Sequence, residues 1–149
     1  MKKYLAISLL LILITQTTTN AQEVFTIKEL PDGWNKVNLE GGMVYDGEIF
    51  EGKIDGKGKM TWADSSSYSG NWLANMRQGK GTMKWPNGNV YMGMFKDDEI
   101  NGKGTLIYAD GHKYAGKFRD GLPHGSGKFI YQDGKHVKCK HIEGKLITD

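Results

Sequence analysis

Apolar side chains recur along this chain at two intervals, one short and one long. Tyr45, Tyr68, Tyr91 and Tyr114 stand 23 residues apart, and Gly47, Gly70, Gly93 and Gly116 follow them by two. Two positions further on come Ile49, Trp72, Phe95 and Phe118. Spacing by two puts all of these on one face of an extended strand. The alternation returns later in each unit, as Gly56, Gly58, Met60, Trp62, then Gly79, Gly81, Met83, Trp85, then Gly102, Gly104, Leu106, Tyr108, and finally Gly125, Gly127, Phe129, Tyr131. Between them the residues are mostly polar, among them Ser69, Asn71, Thr82, Lys84, Lys117, Arg119 and Lys128. One buried and one wet side per strand is the signature of antiparallel pairing.

Each 23-residue unit therefore holds two strands, and a unit of this size buries its apolar face only against its neighbours. Asn87-Gly88, Asp110-Gly111 and Asp133-Gly134 separate the second strand from the next tyrosine. Such dipeptides tolerate positive φ and predict tight hairpin turns there. The first unit has Asp64-Ser65 instead, so that turn either strains a serine into the left-handed region or opens wider, and it is expected to be the loosest. Glycines that share a face with bulky rings leave flat space over which a ring can lie. The ends are incomplete: 22–44 comprise an N-terminal segment and a degenerate half repeat, in which 32–44 resemble the second half of a unit, and in 137–149 Val137, Cys139 and His141 replace the tyrosine, the glycine and the next ring. Lys135, Lys138, Lys140 and Lys145 crowd that C-terminal cap, as charges do where a sheet edge must resist further pairing.

The unit Tyr-x-Gly-x-(Trp/Phe), then Gly-x-Gly-x-x-x-(Tyr/Trp), then Asp/Asn-Gly resembles the MORN (membrane occupation and recognition nexus) repeat. Four units, 45–67, 68–90, 91–113 and 114–136, carry it in phase. The resemblance implies an all-β fold, a single elongated twisted antiparallel sheet of consecutive β-hairpins. It also implies a non-catalytic role in protein interaction, dimerisation or attachment near membranes.

Composition adds a separate N-terminal feature. Lys2-Lys3, the apolar run from Leu5 to Ile14 and the polar stretch before Ala21 read as a secretory signal peptide over 1–21, leaving Gln22 as the new N-terminus. An apolar run of ten residues spans roughly 15 Å as a helix, about half a hydrocarbon core, so a retained anchor is the weaker reading. The whole chain carries a formal net charge of +3, and loss of Lys2 and Lys3 leaves it close to neutral, which argues against nucleic acid as a partner. Cys139 is the lone cysteine, so no intrachain disulfide forms.

Candidate chemistry is sparse. Gly79-Lys80-Gly81-Thr82 and Gly102-Lys103-Gly104-Thr105 look like phosphate loops, but a Walker A loop ends in Gly-Lys followed by Ser or Thr and opens a helix. Lys57, Lys80 and Lys103 share one position of the unit, with Lys59, Lys84 and Lys128 near them on the wet face. Two strands per unit at ~4.8 Å each set equivalent lysines roughly 10 Å apart, about one Debye length at moderate salt. This ladder suits an anionic lipid surface or an acidic partner; against that, lysines keep a sheet soluble, and Asp46, Glu48 and the neighbouring acids cancel much of the field. Phe50, Leu73, Met92, Met94, Ile107 and Ile130 are apolar on the same face and point to a partner, which includes a second copy of the chain. The alternative is that they cover the segment from Phe25 to Leu30 folded back.

His136, Cys139 and His141, with His112 or His124, match no zinc spacing, and two ligands on one strand face do not make a metal site. Asp64, Asp110 and Asp133 serve as turn residues, and no nucleophile stands beside a base. The reading is therefore an exported interaction module of the cell envelope or outside the cell, with no cofactor, metal, catalytic residue or small-molecule substrate. Peripheral binding of anionic membrane through the lysine ladder is the alternative, and a glycan groove along the Trp and Tyr rows is a third.

Overall fold

The computed structural model describes residues 27–147, and all of its strands lie in one open antiparallel sheet, ordered as in the chain. The strands are β1 (Gly33–Leu39), β2 (Met43–Phe50), β3 (Lys53–Thr61), β4 (Ser67–Leu73), β5 (Met76–Lys84), β6 (Val90–Lys96), β7 (Glu99–Ile107), β8 (Lys113–Arg119), β9 (Leu122–Ile130), β10 (His136–Ile142) and β11 (Lys145–Ile147). Among the described residues the only helical turns are two 3-10 turns, Ile27–Glu29 and Glu40–Gly42. The signal peptide read over 1–21, and Phe25, lie outside the described residues.

Strict alternation holds across the sheet because the register carries like positions into line. Gly47, Gly58, Gly70, Gly81, Gly93, Gly104, Gly116 and Gly127 pair successively from β2 to β9, and the row ends at Asn35 on β1 and Cys139 on β10. Each repeat tyrosine lies across its own unit's glycine pair. A Cβ on Gly58 would come within 2.2 Å of the Tyr45 hydroxyl, and one on Gly81 within 2.4 Å of the Tyr68 ring. Trp72, Phe95 and Phe118 stand edge-on between successive tyrosines, with centroid separations of 4.9 to 6.1 Å, and His141 takes the same place beside Tyr114 at 5.1 Å. A zigzag of rings thus joins all four units, in the edge-to-face geometry that aromatic quadrupoles favour. Arg77 adds its guanidinium over Tyr68 and Phe95 while pairing with Asp98 at 3.0 Å.

Gly56, Gly79, Gly102 and Gly125 have a different duty from the one that even spacing gives them. Gly47 pairs with Gly58 and Ile49 with Ile54, so Asp55, Gly56 and Lys57 stand opposite Glu48 alone. The same bulge recurs in the next three units. These four glycines sit in the bulge at φ of 98°, 66°, 101° and 73°, a conformation that a side chain opposes. The residue facing the bulge supplies the acceptor for the tyrosine: Tyr45, Tyr68 and Tyr91 donate their hydroxyls to the carbonyls of Glu48, Asn71 and Met94 at 2.9, 2.9 and 3.1 Å. Tyr114, equally buried, finds no partner among the described residues.

Burial raises the phenol pKa of all four tyrosines, to about 12 for Tyr68 and Tyr91. The neutral form is the one the folded state prefers. Stability is therefore intact below pH 10, where unfolded tyrosine keeps its proton, and falls as pH climbs toward 12, by ~1.4 kcal/mol per pH unit for each tyrosine that ionises only on unfolding. A pH titration of circular dichroism and tyrosinate absorbance should show one cooperative alkaline transition above pH 10. Four independent titrations with the fold retained would contradict this.

The tight turns lie elsewhere than Asn87-Gly88 and its equivalents. Glu51-Gly52, Ala74-Asn75, Asp97-Asp98, Asp120-Gly121 and Glu143-Gly144 join the two strands inside a unit, with positive φ at both residues, the type I′ arrangement that matches strand twist. Ala74-Asn75 and Asp97-Asp98 contain no glycine, which hides them in the sequence. Each of the later four hooks onto the preceding unit: Asn75, Asp98, Gly121 and Gly144 donate backbone N–H groups to the carbonyls of Ile54, Arg77, Ile100 and Pro123 at 2.8 to 3.1 Å. Asn75 and Asp98 also accept from the Ile54 and Arg77 N–H groups through their side chains.

The Asn-Gly and Asp-Gly dipeptides belong to five-residue loops closed by paired backbone bonds, such as Trp85 N–H to Asn89 and Gly88 N–H to Trp85, both 3.0 Å. The Asp64-Ser65 loop is closed in the same way rather than looser. Ser65 accepts the left-handed conformation at φ 68°, and Asp64 takes a further bond from the Ser66 hydroxyl at 2.6 Å. Ser65→Gly should remove a strain of about 1 kcal/mol and raise Tm by roughly 4 °C; an unchanged or lower Tm in a thermal melt would show the serine to be relaxed.

The ring face is not uniformly covered. At the N-terminal end Ile27 and Leu30 pack on the core. Toward the C-terminus Phe129 is half-buried, while Tyr131 and Val137 are exposed. A single open sheet has no second layer to shield its last unit.

Candidate interaction surface

On the wet face the register sets two rows of side chains on either side of the glycine row. One contains Lys57 opposite Asn71, Lys80 opposite Met94, Lys103 opposite Lys117 and Ser126 opposite Lys140. The other runs Asp46, Lys59, Ser69, Thr82, Met92, Thr105, Ala115, Lys128, Lys138. The strip between them is a shallow trough made of three grooves in series. The first is bounded by Trp34, Asp46, Lys57, Lys59 and Lys80; the second by Lys80, Thr82, Met92, Met94 and Lys103; the third by Lys103, Thr105, Lys117 and Ser126. Lys80 and Lys103 are the shared walls.

Charge is strongly segregated along this face. From β4 to β10 the only carboxylate within a strand is Glu99, opposite Lys96 at the turn end. The other acids of that region lie in connections, where Asp110 and Asp133 pair with His112 and Lys135. Hydrogen bonds from His112 hold the Asp110 carboxyl below its usual range, and those from Ser66 do the same for Asp64. Among the described residues no wet-face lysine is in an ion pair. Lys103 faces Lys117 directly, and Lys128 faces Lys138, an arrangement that costs stability unless an anion lies between. At the N-terminal end the balance differs, since Asp46 faces Lys59 and Glu48 lies beside the bulge that carries Lys57. The ladder therefore extends beyond Lys57, Lys80 and Lys103 to Lys117 and Lys140. These two share an interval of 23 with each other; the β7–β8 register sets Lys117 opposite Lys103, and the β9–β10 register sets Lys140 opposite Ser126.

The six apolar wet-face residues do not form one patch. Met92 and Met94 line the second groove on either side of Gly93, and Ile107 pairs with Val90 next to them. Ile130 is two strands from Ile107, across Lys113, while Phe50 and Leu73 stand at strand ends beside the tight turns. On the ring face, in the row considered for glycans, Trp62, Trp85 and Tyr108 are half-buried and Tyr131 is exposed. Cys139 lies against the core and His141 on Tyr114, and among the described residues no three His, Cys, Asp or Glu side chains gather as a metal site.

The MORN repeat family model matches residues 45–67, 68–90, 91–113 and 114–136. No curated protein matches the chain. Among solved structures it is similar to the SAS-4 (dCPAP) TCP domain of Drosophila melanogaster, solved in complex with a proline-rich motif of Ana2 (dSTIL), at 14% identity over 69% of each chain with a TM-score of 0.39. With four consecutive matches over more than half its length, each coinciding with one bulged hairpin and one tyrosine on its glycine pair, the chain belongs to the MORN repeat family.

Proposed function

We propose that this chain is an exported, non-catalytic interaction module that binds an acidic protein partner at the cell envelope or outside the cell. The observation that carries this is the unpaired lysine ladder on a strand face almost free of carboxylates from β4 to β10. An array hooked together turn by turn presents such a surface rigidly, which lowers the ordering cost of binding. Export rests on the N-terminal basic and apolar pattern ending at Ala21. Crosslinking pull-down from the envelope fraction, with the wild type and with Lys57→Glu/Lys80→Glu/Lys103→Glu, is the direct test. A partner held by the wild type, released by salt and missing from the variant supports the reading; identical captures by both would reject it.

The same lysines support a second reading, peripheral attachment to an anionic membrane surface. It predicts salt-sensitive cosedimentation with anionic vesicles that drops in the triple variant. The two readings diverge on whether neutralised vesicles leave the captured partner in place.

A further inference from the structure

The trough has a length scale, and that scale selects among acidic ligands. Lys57, Lys80 and Lys103 stand on β3, β5 and β7, followed by Lys117 on β8 and Lys140 on β10. Successive cationic rungs are thus mostly two strands apart, or ~10 Å along a line perpendicular to the strands. An extended peptide advances ~3.1 Å per residue in the polyproline II conformation and returns to the same side every third residue, so its like-facing side chains recur at about 9 Å. A β-strand presents like-facing side chains at about 7 Å, out of step with the rungs. Between the rungs the floor is glycine backbone, with Thr82 and Thr105 as hydroxyl donors and Met92 and Met94 as an apolar stretch in the middle.

Resting on the acidic-partner reading above, we infer that the trough takes an extended acidic polypeptide segment that crosses the strands and offers a carboxylate at every third residue. Carboxylates at i, i+3 and i+6 meet Lys57, Lys80 and the Lys103–Lys117 pair in turn. The facing lysines of that pair bracket one anion, which relieves their repulsion. Small or apolar residues between the acids rest on the glycine strip and on Met92 and Met94.

The test uses the purified protein and two labelled peptides of identical composition, each with four glutamates among proline, serine and alanine. In one the glutamates stand at every third position; in the other they form one contiguous block. Fluorescence anisotropy at moderate salt should show at least a fivefold tighter Kd for the spaced peptide, and Lys80→Glu/Lys103→Glu/Lys117→Glu should abolish that preference with the circular dichroism unchanged. Equal affinity for both peptides, lost in the variant, would overturn the spacing inference while leaving the face as the interaction surface. Binding of either peptide that survives in the variant would overturn the lysine-face reading itself. Binding to phosphatidylglycerol vesicles with neither peptide bound would assign the trough to membrane and reject the peptide ligand.

Discussion

Gly81→Ala is expected to cost about 3 kcal/mol and to lower Tm by roughly 10 °C. The added methyl would sit 2.4 to 2.6 Å from Cε2, the hydroxyl and Cζ of Tyr68. A neighbouring side chain often yields to such an intrusion, but this ring has nowhere to go. Trp72 and Phe95 stand edge-on to it at 5.0 and 4.9 Å, Arg77 lies over it, and its hydroxyl is held by the Asn71 carbonyl. The Gly81 backbone is equally fixed, being paired with Gly70 on one side and Gly93 on the other. Gly134→Ala supplies the contrast, because its Cβ would meet nothing within 4 Å and only its φ of 85° opposes the change. That substitution should cost about 1 kcal/mol. Chemical denaturation of both variants separates steric exclusion from backbone preference. Adding Tyr68→Ala to Gly81→Ala should make the second change nearly free, the coupling expected of two groups that compete for one volume; additive losses would show that the glycine serves something other than the ring.

Much of this architecture is legible in the sequence because a period of 23 superimposes weak signals. One Tyr-x-Gly means little, whereas four in phase fix the strand face, and the tyrosines and the residues four beyond them are all buried in the structure. What escaped depends on pairing rather than on order along the chain. The bulge is visible only when Ile49 is seen opposite Ile54, and it turns Gly56 from empty space for a ring into a backbone requirement. Two of the two-residue turns carry no glycine signal, because alanine, asparagine and aspartate hold the left-handed positions at Ala74-Asn75 and Asp97-Asp98, where the Asp98 carboxylate is fixed by a bond from the preceding unit; Gly52, Gly121 and Gly144 mark the other three in the sequence. Asn87-Gly88 and its equivalents mark the longer loops instead. On the wet face, the lysines at one position of the unit were readable, but Lys103 facing Lys117 required the register. The neutralising role given to Asp46 and Glu48 holds for the first unit and fails from β4 onward, since acids near in sequence to the later lysines sit in turns.

Tyr91→Ala should be the most damaging single truncation, at about 4 kcal/mol. The ring is fully buried, stands edge-on to Phe95 at 5.4 Å and Phe118 at 5.0 Å, and donates to the Met94 carbonyl facing the bulge. Beneath it are Gly93 and Gly104, which have no side chains to collapse into the space, so the cavity persists and the cost lies toward the upper end of its class. Tyr91→Phe keeps the ring and loses the hydroxyl bond, for about 1 kcal/mol. Tyr114→Phe is the internal control, because that hydroxyl is buried without a partner and its removal should be neutral or slightly stabilising. Position adds a second consequence. Tyr91 links the second and fourth units through Phe95 and Phe118, and in an array where each unit touches its neighbours alone, a break in the middle uncouples the two ends. Hydrogen exchange of Tyr91→Ala should therefore show β8 to β10 losing protection while β2 to β4 keep it. They retain the Tyr45, Trp72 and Tyr68 contacts and the cover of Ile27 and Leu30, whereas the C-terminal units end in exposed Tyr131 and Val137. Uniform loss of protection along the chain would mean that the hooked turns, and not the ring zigzag, carry the cooperativity.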